Sequence, residues 1–175
     1  MTQARRRFLK FASAAIPAAV AATGVARGDD GSAKDFLGAW NTRHDLPLPP
    51  GFFHEFLTFA DGGVLHETNS FLHTTSRVNF SVFGLAAPQW QAVNGSDGLG
   101  SWERIGNGVV QLVFRKMLFD GNTGAHFGDL LVTGKYFSDG RNLSGTANIK
   151  VVGPFDDNTL LVDFGFAGSR GFRIA

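Results

Sequence analysis

From residue 35 onward the chain alternates short apolar or period-two runs with clusters of Gly, Asp and Asn. Ala60-Asp61-Gly62-Gly63, Asp120-Gly121-Asn122-Thr123-Gly124, Ser138-Asp139-Gly140-Arg141-Asn142 and Gly153-Pro154-Phe155-Asp156-Asp157-Asn158 are all turn chemistry. They supply residues that tolerate positive φ where a chain reverses. No run of helical periodicity separates them. The pattern predicts eight strands, over 36–44, 52–59, 64–71, 78–85, 100–104, 109–119, 126–136 and 143–152. Segments 160–168 and 172–174 form a ninth, kinked return. Residues 86–98 are the least regular and read as a lid or a long loop. Hairpin spacing without helices predicts an all-β fold, an up-and-down antiparallel β-barrel of about eight strands, with a β-sandwich as the alternative.

A barrel of that size either fills with side chains or holds one small ligand. Alternation nominates the lining. Glu67 and Asn69 share parity with Leu65 and Phe71, and Arg115 alternates with Val113 and Met117. If those faces turn inward, Glu67, Asn69, Arg115, Phe71 and Met117 line the lumen. A carboxylate and a guanidinium there would orient the polar end of a ligand or pair with each other. The competing reading is a structural salt bridge or an outward face.

The first 26 residues read differently. Ala4-Arg5-Arg6-Arg7-Phe8-Leu9-Lys10 resembles the twin-arginine export motif, followed by an Ala-rich apolar stretch to Ala22 and a small-x-small site at Gly24-Val25-Ala26. Pro17 interrupts the apolar stretch, which is too short and weakly hydrophobic for a span of about 20 residues. Residues 1–26 are therefore expected to be a signal peptide, 27–34 a flexible tether and 35–175 the barrel domain. The expected destination is the periplasm or the outside of the cell, with no membrane span after cleavage.

Composition sharpens this. The net charge is +1, yet Arg5, Arg6, Arg7 and Lys10 all lie in the leader, leaving 12 basic and 15 acidic residues in the domain. A slightly acidic domain without a basic run is a poor partner for nucleic acid or anionic lipid. The absence of cysteine excludes disulfides, thiolate metal sites and a cysteine nucleophile. Of 18 Phe, all but Phe8 and Phe11 remain to build a core. Each contributes roughly 1.5–3 kcal/mol when buried.

Phe36-Leu37-Gly38-Ala39-Trp40 opens the first strand with Gly-x-Trp, and Arg170 and Arg173 stand near the end of the last. This resembles lipocalins and the wider calycin group, in which the Trp plugs the closed end of an eight-stranded barrel beneath an Arg from the final strand. The resemblance implies a barrel floor built from Gly38, Trp40, Arg170 and Arg173, with cation–π stacking as its physical basis. Thr58-Phe59-Ala60-Asp61-Gly62 and Gly100-Ser101-Trp102-Glu103-Arg104 extend the likeness to uncharacterised bacterial lipocalin-like proteins. The other lipocalin signatures, disulfides included, are missing. Fold likeness alone transfers no ligand class.

The chemistry-bearing motifs are few. No nucleophile elbow, phosphate loop, dinucleotide fingerprint or zinc spacing occurs, so neither cofactor nor metal is predicted. His54-Glu55 and His66-Glu67 flank one turn, but the two histidines fall roughly 13 Å apart along the strands, too far to share a metal. Solvent-facing alternation accounts for them. The sequence thus points to an exported barrel binding a small hydrophobic molecule in a Phe-lined cavity. The alternative is a metal-free isomerase or cyclase on an apolar substrate, as in allene oxide cyclase-like barrels, with Glu67 and Arg115 as the reacting groups. A third reading is a self-associating barrel, with exposed Phe pairs such as Phe52-Phe53 at a mouth or dimer face.

Overall fold

The computed structural model of the chain describes residues 34–46 and 51–174, with the side chains of 156–158 left aside. The proposed signal peptide and nearly all of the tether lie outside the described residues. Nine strands follow one another: β1 (Gly38–Asp45), β2 (Phe52–Ala60), β3 (Val64–Asn69), β4 (Val93–Gly95), β5 (Gly98–Gly106), β6 (Val109–Asp120), β7 (His126–Ser138), β8 (Asn142–Gly153) and β9 (Asp156–Arg173). All pairings are antiparallel. They run β1-β2-β3-β5-β6-β7-β8-β9, and β9 returns to β1. The sheet therefore closes into an eight-stranded up-and-down barrel, with β4 a short addition on the end of β6. Closure leaves no barrel strand with an unpaired edge.

The count of eight is reached by a different route from the one the sequence suggests. Residues 78–85 form no strand. Asn79 caps a 3₁₀ turn over Phe80–Phe83, and only a single bridge joins Val78 to Val93. The apolar residues of this stretch are spent on a lid instead of a ladder. The eighth barrel position is taken by β9, a continuous strand of 18 residues that absorbs its kinks as register shifts against β8. Such bulges bend a strand without ending it.

Inside the barrel the apolar side chains divide into two clusters. Trp40, Phe59, Leu112 and Tyr136 belong to the lower one, near the β1 start. The upper one is built where Leu72, Phe80 and Trp90 of the β3–β4 connection fold over the opposite end onto Leu118 and Val151. The connection thus works as a cap over the barrel mouth.

Candidate functional site

At the floor, Trp40 is fully buried and its indole donates to the Phe36 carbonyl at 2.7 Å. The Arg173 guanidinium lies 4.8 Å from the Trp40 ring centroid. It also donates to the carbonyls of Leu37 and Gly140, both at 2.8 Å. Gly38 has φ of +115°, a backbone state that disfavours any side chain, and a Cβ there would sit 3.7 Å from the same guanidinium. Arg170 does not belong to this floor. Three residues from Arg173, it has the opposite parity, and its exposed side chain lies 3.6 Å from Asp45 on the outer surface.

Between the two apolar clusters lies a cavity of about 60 Å³. That is several times the roughly 10–15 Å³ one buried water needs but less than half of the roughly 150 Å³ that holds a benzene, so a ring-sized guest enters only as the cap gives way. Phe53, Phe71, Phe114 and Phe164 are among its apolar lining, while His44, Glu55, Asn69 and Lys116 form a polar wall.

Strand register explains how these polar groups meet. Tyr136, Gly145, Ser169 and His44 are successive cross-strand neighbours on β7, β8, β9 and β1. A Cβ on Gly145 would lie 2.9 Å from the Tyr136 ring, so only glycine lets the tyrosine lie across β8. Its hydroxyl reaches Ser169 Oγ at 3.2 Å, and Ser169 reaches His44 Nδ1 at 2.8 Å. His44 Nε2 stands 2.6 Å from Glu55 Oε1. One assignment satisfies every member: Tyr136 donates to Ser169, Ser169 to Nδ1, and Nε2–H to the carboxylate.

A second bridge follows the same rule. Glu67 of β3 pairs with Gly98 of β5, and Gly98 lies one residue before the Leu99–Arg115 pair that joins β5 to β6. Lys116 therefore reaches Glu67 across a strand whose intervening residue has no side chain. Its Nζ donates to Oε1 at 3.1 Å and lies 2.9 Å from Oε2, off the angle of a second hydrogen bond. Asn69 Nδ2 donates to the same Oε1 at 2.7 Å, and its Oδ1 accepts from the Leu72 backbone. Burial, then the nearby charge of Glu55, pushes the Glu67 carboxyl up to about 7, against the opposing pull of Lys116 and Asn69. Burial likewise raises the Tyr136 hydroxyl. Thr42 Oγ1, on the same cross-strand rung as Glu55, is buried with no protein partner.

The residues nominated from sequence are distributed as follows. Phe71 and Asn69 line the cavity; Glu67 is interior but stands behind Lys116 and Asn69, not on the cavity wall. Arg115 and Met117 are corrected: both face outward. Arg115 pairs with Asp129 at 3.1 Å, whose other oxygen is 2.7 Å from His126, and Met117 is 45% exposed. The physical reason is parity. Strand β6 is apolar on both faces, and Leu112, Phe114, Lys116 and Leu118 are the set turned inward. The expected interior cation exists, one residue further on. Of the Phe52-Phe53 pair, Phe53 lines the cavity while Phe52 lies outside beneath Arg43. His44 and Glu55 are interior residues beyond the candidate lumen set, and strand parity is the signal for them: His44 shares it with Trp40, and Glu55 with Leu57 and Phe59. His54 and His66 are exposed.

Fold and interior together define a closed eight-stranded antiparallel barrel, capped at one end, with a polar wall inside an apolar chamber. Compared with known proteins, the chain matches no family model, no curated protein and no solved structure.

Proposed function

We propose that this barrel, of the lipocalin-like kind, is exported by the twin-arginine route and binds a small, mainly apolar molecule bearing one polar end. The observation that carries the reading is the cavity itself. Its Phe-rich lining is interrupted on one side only, by His44, Glu55, Asn69 and Lys116. Chambers of this kind recognise ligands by apolar contact and fix their orientation through a few convergent polar groups. The leader supports export: its arginine pair, apolar stretch and small-residue site stand in the order that a signal peptide requires.

The test is native mass spectrometry with displacement of a hydrophobic dye by small aromatics and short-chain alcohols, ketones and aldehydes. One-to-one uptake is expected, with tighter binding for compounds carrying an oxygen. Failure of every compound to enter would overturn the reading. Export is checked by cell fractionation, where Arg5→Lys/Arg6→Lys/Arg7→Lys should leave the precursor in the cytoplasm.

A second reading, a metal-free isomerase or cyclase, is favoured by one observation. The His44–Glu55 pair sits on the cavity wall with both ring nitrogens engaged, and Glu67 behind it titrates near neutrality. A carboxyl raised to about 7, as that of Glu67 is, can give or take a proton near neutral pH. Conversion of a bound enolisable ketone, lost in Glu55→Gln, would support it.

A further inference from the structure

We propose that Lys116 is a covalent carbonyl site, its Nζ forming a reversible imine with an aldehyde or ketone held in the cavity; this rests on the reading of the cavity as a ligand chamber. Lys116 is 1% exposed, whereas Lys34 and Lys135 are exposed and Lys150 is half-buried. It is thus the buried lysine among the described residues, and its side chain lies on the wall of an apolar cavity. An ion pair whose only task is structural gains nothing from bordering empty space, and burying two charges costs several kcal/mol per ion. The order of the groups is that of a reaction site. Lys116 lines the cavity, and its proton acceptor, Glu67, lies 2.9 Å from Nζ and is not among the lining residues.

The step balances without an outside reagent. The Lys116 ammonium passes one proton to the Glu67 carboxylate, and the freed amine pair attacks the carbonyl carbon. The carbonyl π pair moves onto oxygen, the carbinolamine collapses, and the two remaining nitrogen protons leave with that oxygen as water. The products are a neutral imine, water and a protonated Glu67. Both carboxylate and ammonium charges have vanished from the apolar interior, which is the direction burial favours. Burial raises the Glu67 carboxyl, so it keeps a transferred proton more readily than an ordinary carboxylate does. Apolar walls then select carbonyl compounds with small hydrocarbon bodies, and Phe53, Phe71 and Phe114 are the rings they would meet.

The experiment uses benzaldehyde with sodium cyanoborohydride at pH 7, followed by peptide mapping, and toluene as a carbonyl-free control in dye displacement. Exposed amines ordinarily label first. The expected result is the reverse, with Lys116 benzylated at least about tenfold faster than Lys135. Glu67→Gln, which keeps an oxygen toward Nζ but accepts no proton, should slow Lys116 labelling about fivefold or more and leave Lys135 unchanged. Labelling confined to Lys34, Lys135 and Lys150 overturns the imine. If toluene displaces the dye while Lys116 stays unlabelled, the imine alone falls. If neither compound enters, both readings fall. Because the wild-type map decides, misfolding of Lys116→Met would not obscure the answer.

Discussion

Lys116 on β6 and Glu67 on β3 form an ion pair, Nζ to Oε2 2.9 Å, across β5 at the one residue, Gly98, that leaves their path open. The side chains are fully buried. Breaking such a pair from one side strands a charge, at a cost of about 3–5 kcal/mol. Lys116→Met should lose about that much in urea unfolding. Lys116→Met/Glu67→Leu should recover most of it, because an apolar replacement of both charges is close to neutral. Equal losses in the single and double variants would mean that the pair is not what couples these strands.

Gly98 itself is open to test. A Cβ there would fall 2.6 Å from Glu67 Oε2 and 2.9 Å from the Phe114 ring. Gly98→Ala should therefore cost about 1–3 kcal/mol through overpacking. In Glu67→Ala, where the carboxylate is gone, the added cost of Gly98→Ala should shrink, which a double-mutant cycle reads directly. An undiminished cost would place the clash elsewhere.

The pH dependence follows from the Glu67 carboxyl standing at about 7 in the folded chain against an ordinary 4.5. A raised acid binds its proton better when folded, so its contribution is fully present below pH 4.5. That contribution declines as pH rises toward 7 and is exhausted above it. The slope cannot exceed about 1.4 kcal/mol per pH unit for one proton. Wild type should lose stability between pH 4.5 and 7 relative to Glu67→Gln, whose curve lacks this segment. Asp139, held at about 2 first by the Asn142 side chain and then by the turn backbone, acts in a separate window below 3.8, with the opposite sign. A wild-type curve parallel to that of Glu67→Gln through pH 4.5–7 would contradict the assignment.

The barrel was legible from the sequence because its evidence is local. Hairpin turns such as Ala60-Asp61-Gly62-Gly63 and the parity of Leu65, Glu67 and Asn69 sit within a few residues of each other. The interior cation was not legible, since β6 places apolar side chains on both faces, and Val113, Met117 and Phe119 alternate as convincingly as Leu112, Phe114 and Leu118. Only the partner strand, with Glu67 opposite Gly98, decides that Lys116 points inward. The Tyr136–Ser169–His44–Glu55 chain was still less accessible. Its members come from four strands, with His44 and Ser169 standing 125 positions apart, and they meet only through the closure of β9 on β1. Likewise, residues 78–85 carry strand-like composition, yet their rings pack best as a cap.

The floor makes a sharp contrast between two arginines three residues apart. Arg173 stacks on buried Trp40 and donates to several backbone carbonyls, among them Leu37 and Gly140. Cation–π contact of about 0.5–2 kcal/mol, added to charged hydrogen bonds, puts Arg173→Ala at roughly 3 kcal/mol or more. Arg170 is solvent-exposed, so Arg170→Ala should stay within about 0.5 kcal/mol. Arg173→Lys should rescue only part of the loss, because an ammonium cannot stack and fork together. Similar melting shifts for both alanine variants would remove the floor from the account of stability.

The cap gives the last prediction. Between β3 and β5 the chain makes few ladder hydrogen bonds: one bridge at Val78–Val93, 3₁₀ turns over Phe80–Phe83 and Pro88–Trp90, and the short β4. It is held by aromatic contact, with Phe80 touching Phe71, Phe83, Trp90 and Phe164. A segment tied more by side chains than by ladder hydrogen bonds opens at lower free energy than the strands around it. Amide exchange across Phe80–Trp90 should therefore run faster than in β6–β8, whose pairing is continuous. Phe71, Phe80, Phe83 and Phe164 also line the cavity, so an occupant would add contacts to the closed cap and slow that exchange. Phe80→Ala should open the cap further and release a bound dye faster, while leaving exchange in β6–β8 unchanged. Uniform exchange over cap and strands, insensitive to any occupant, would make the segment part of the rigid barrel and leave the chamber without a door.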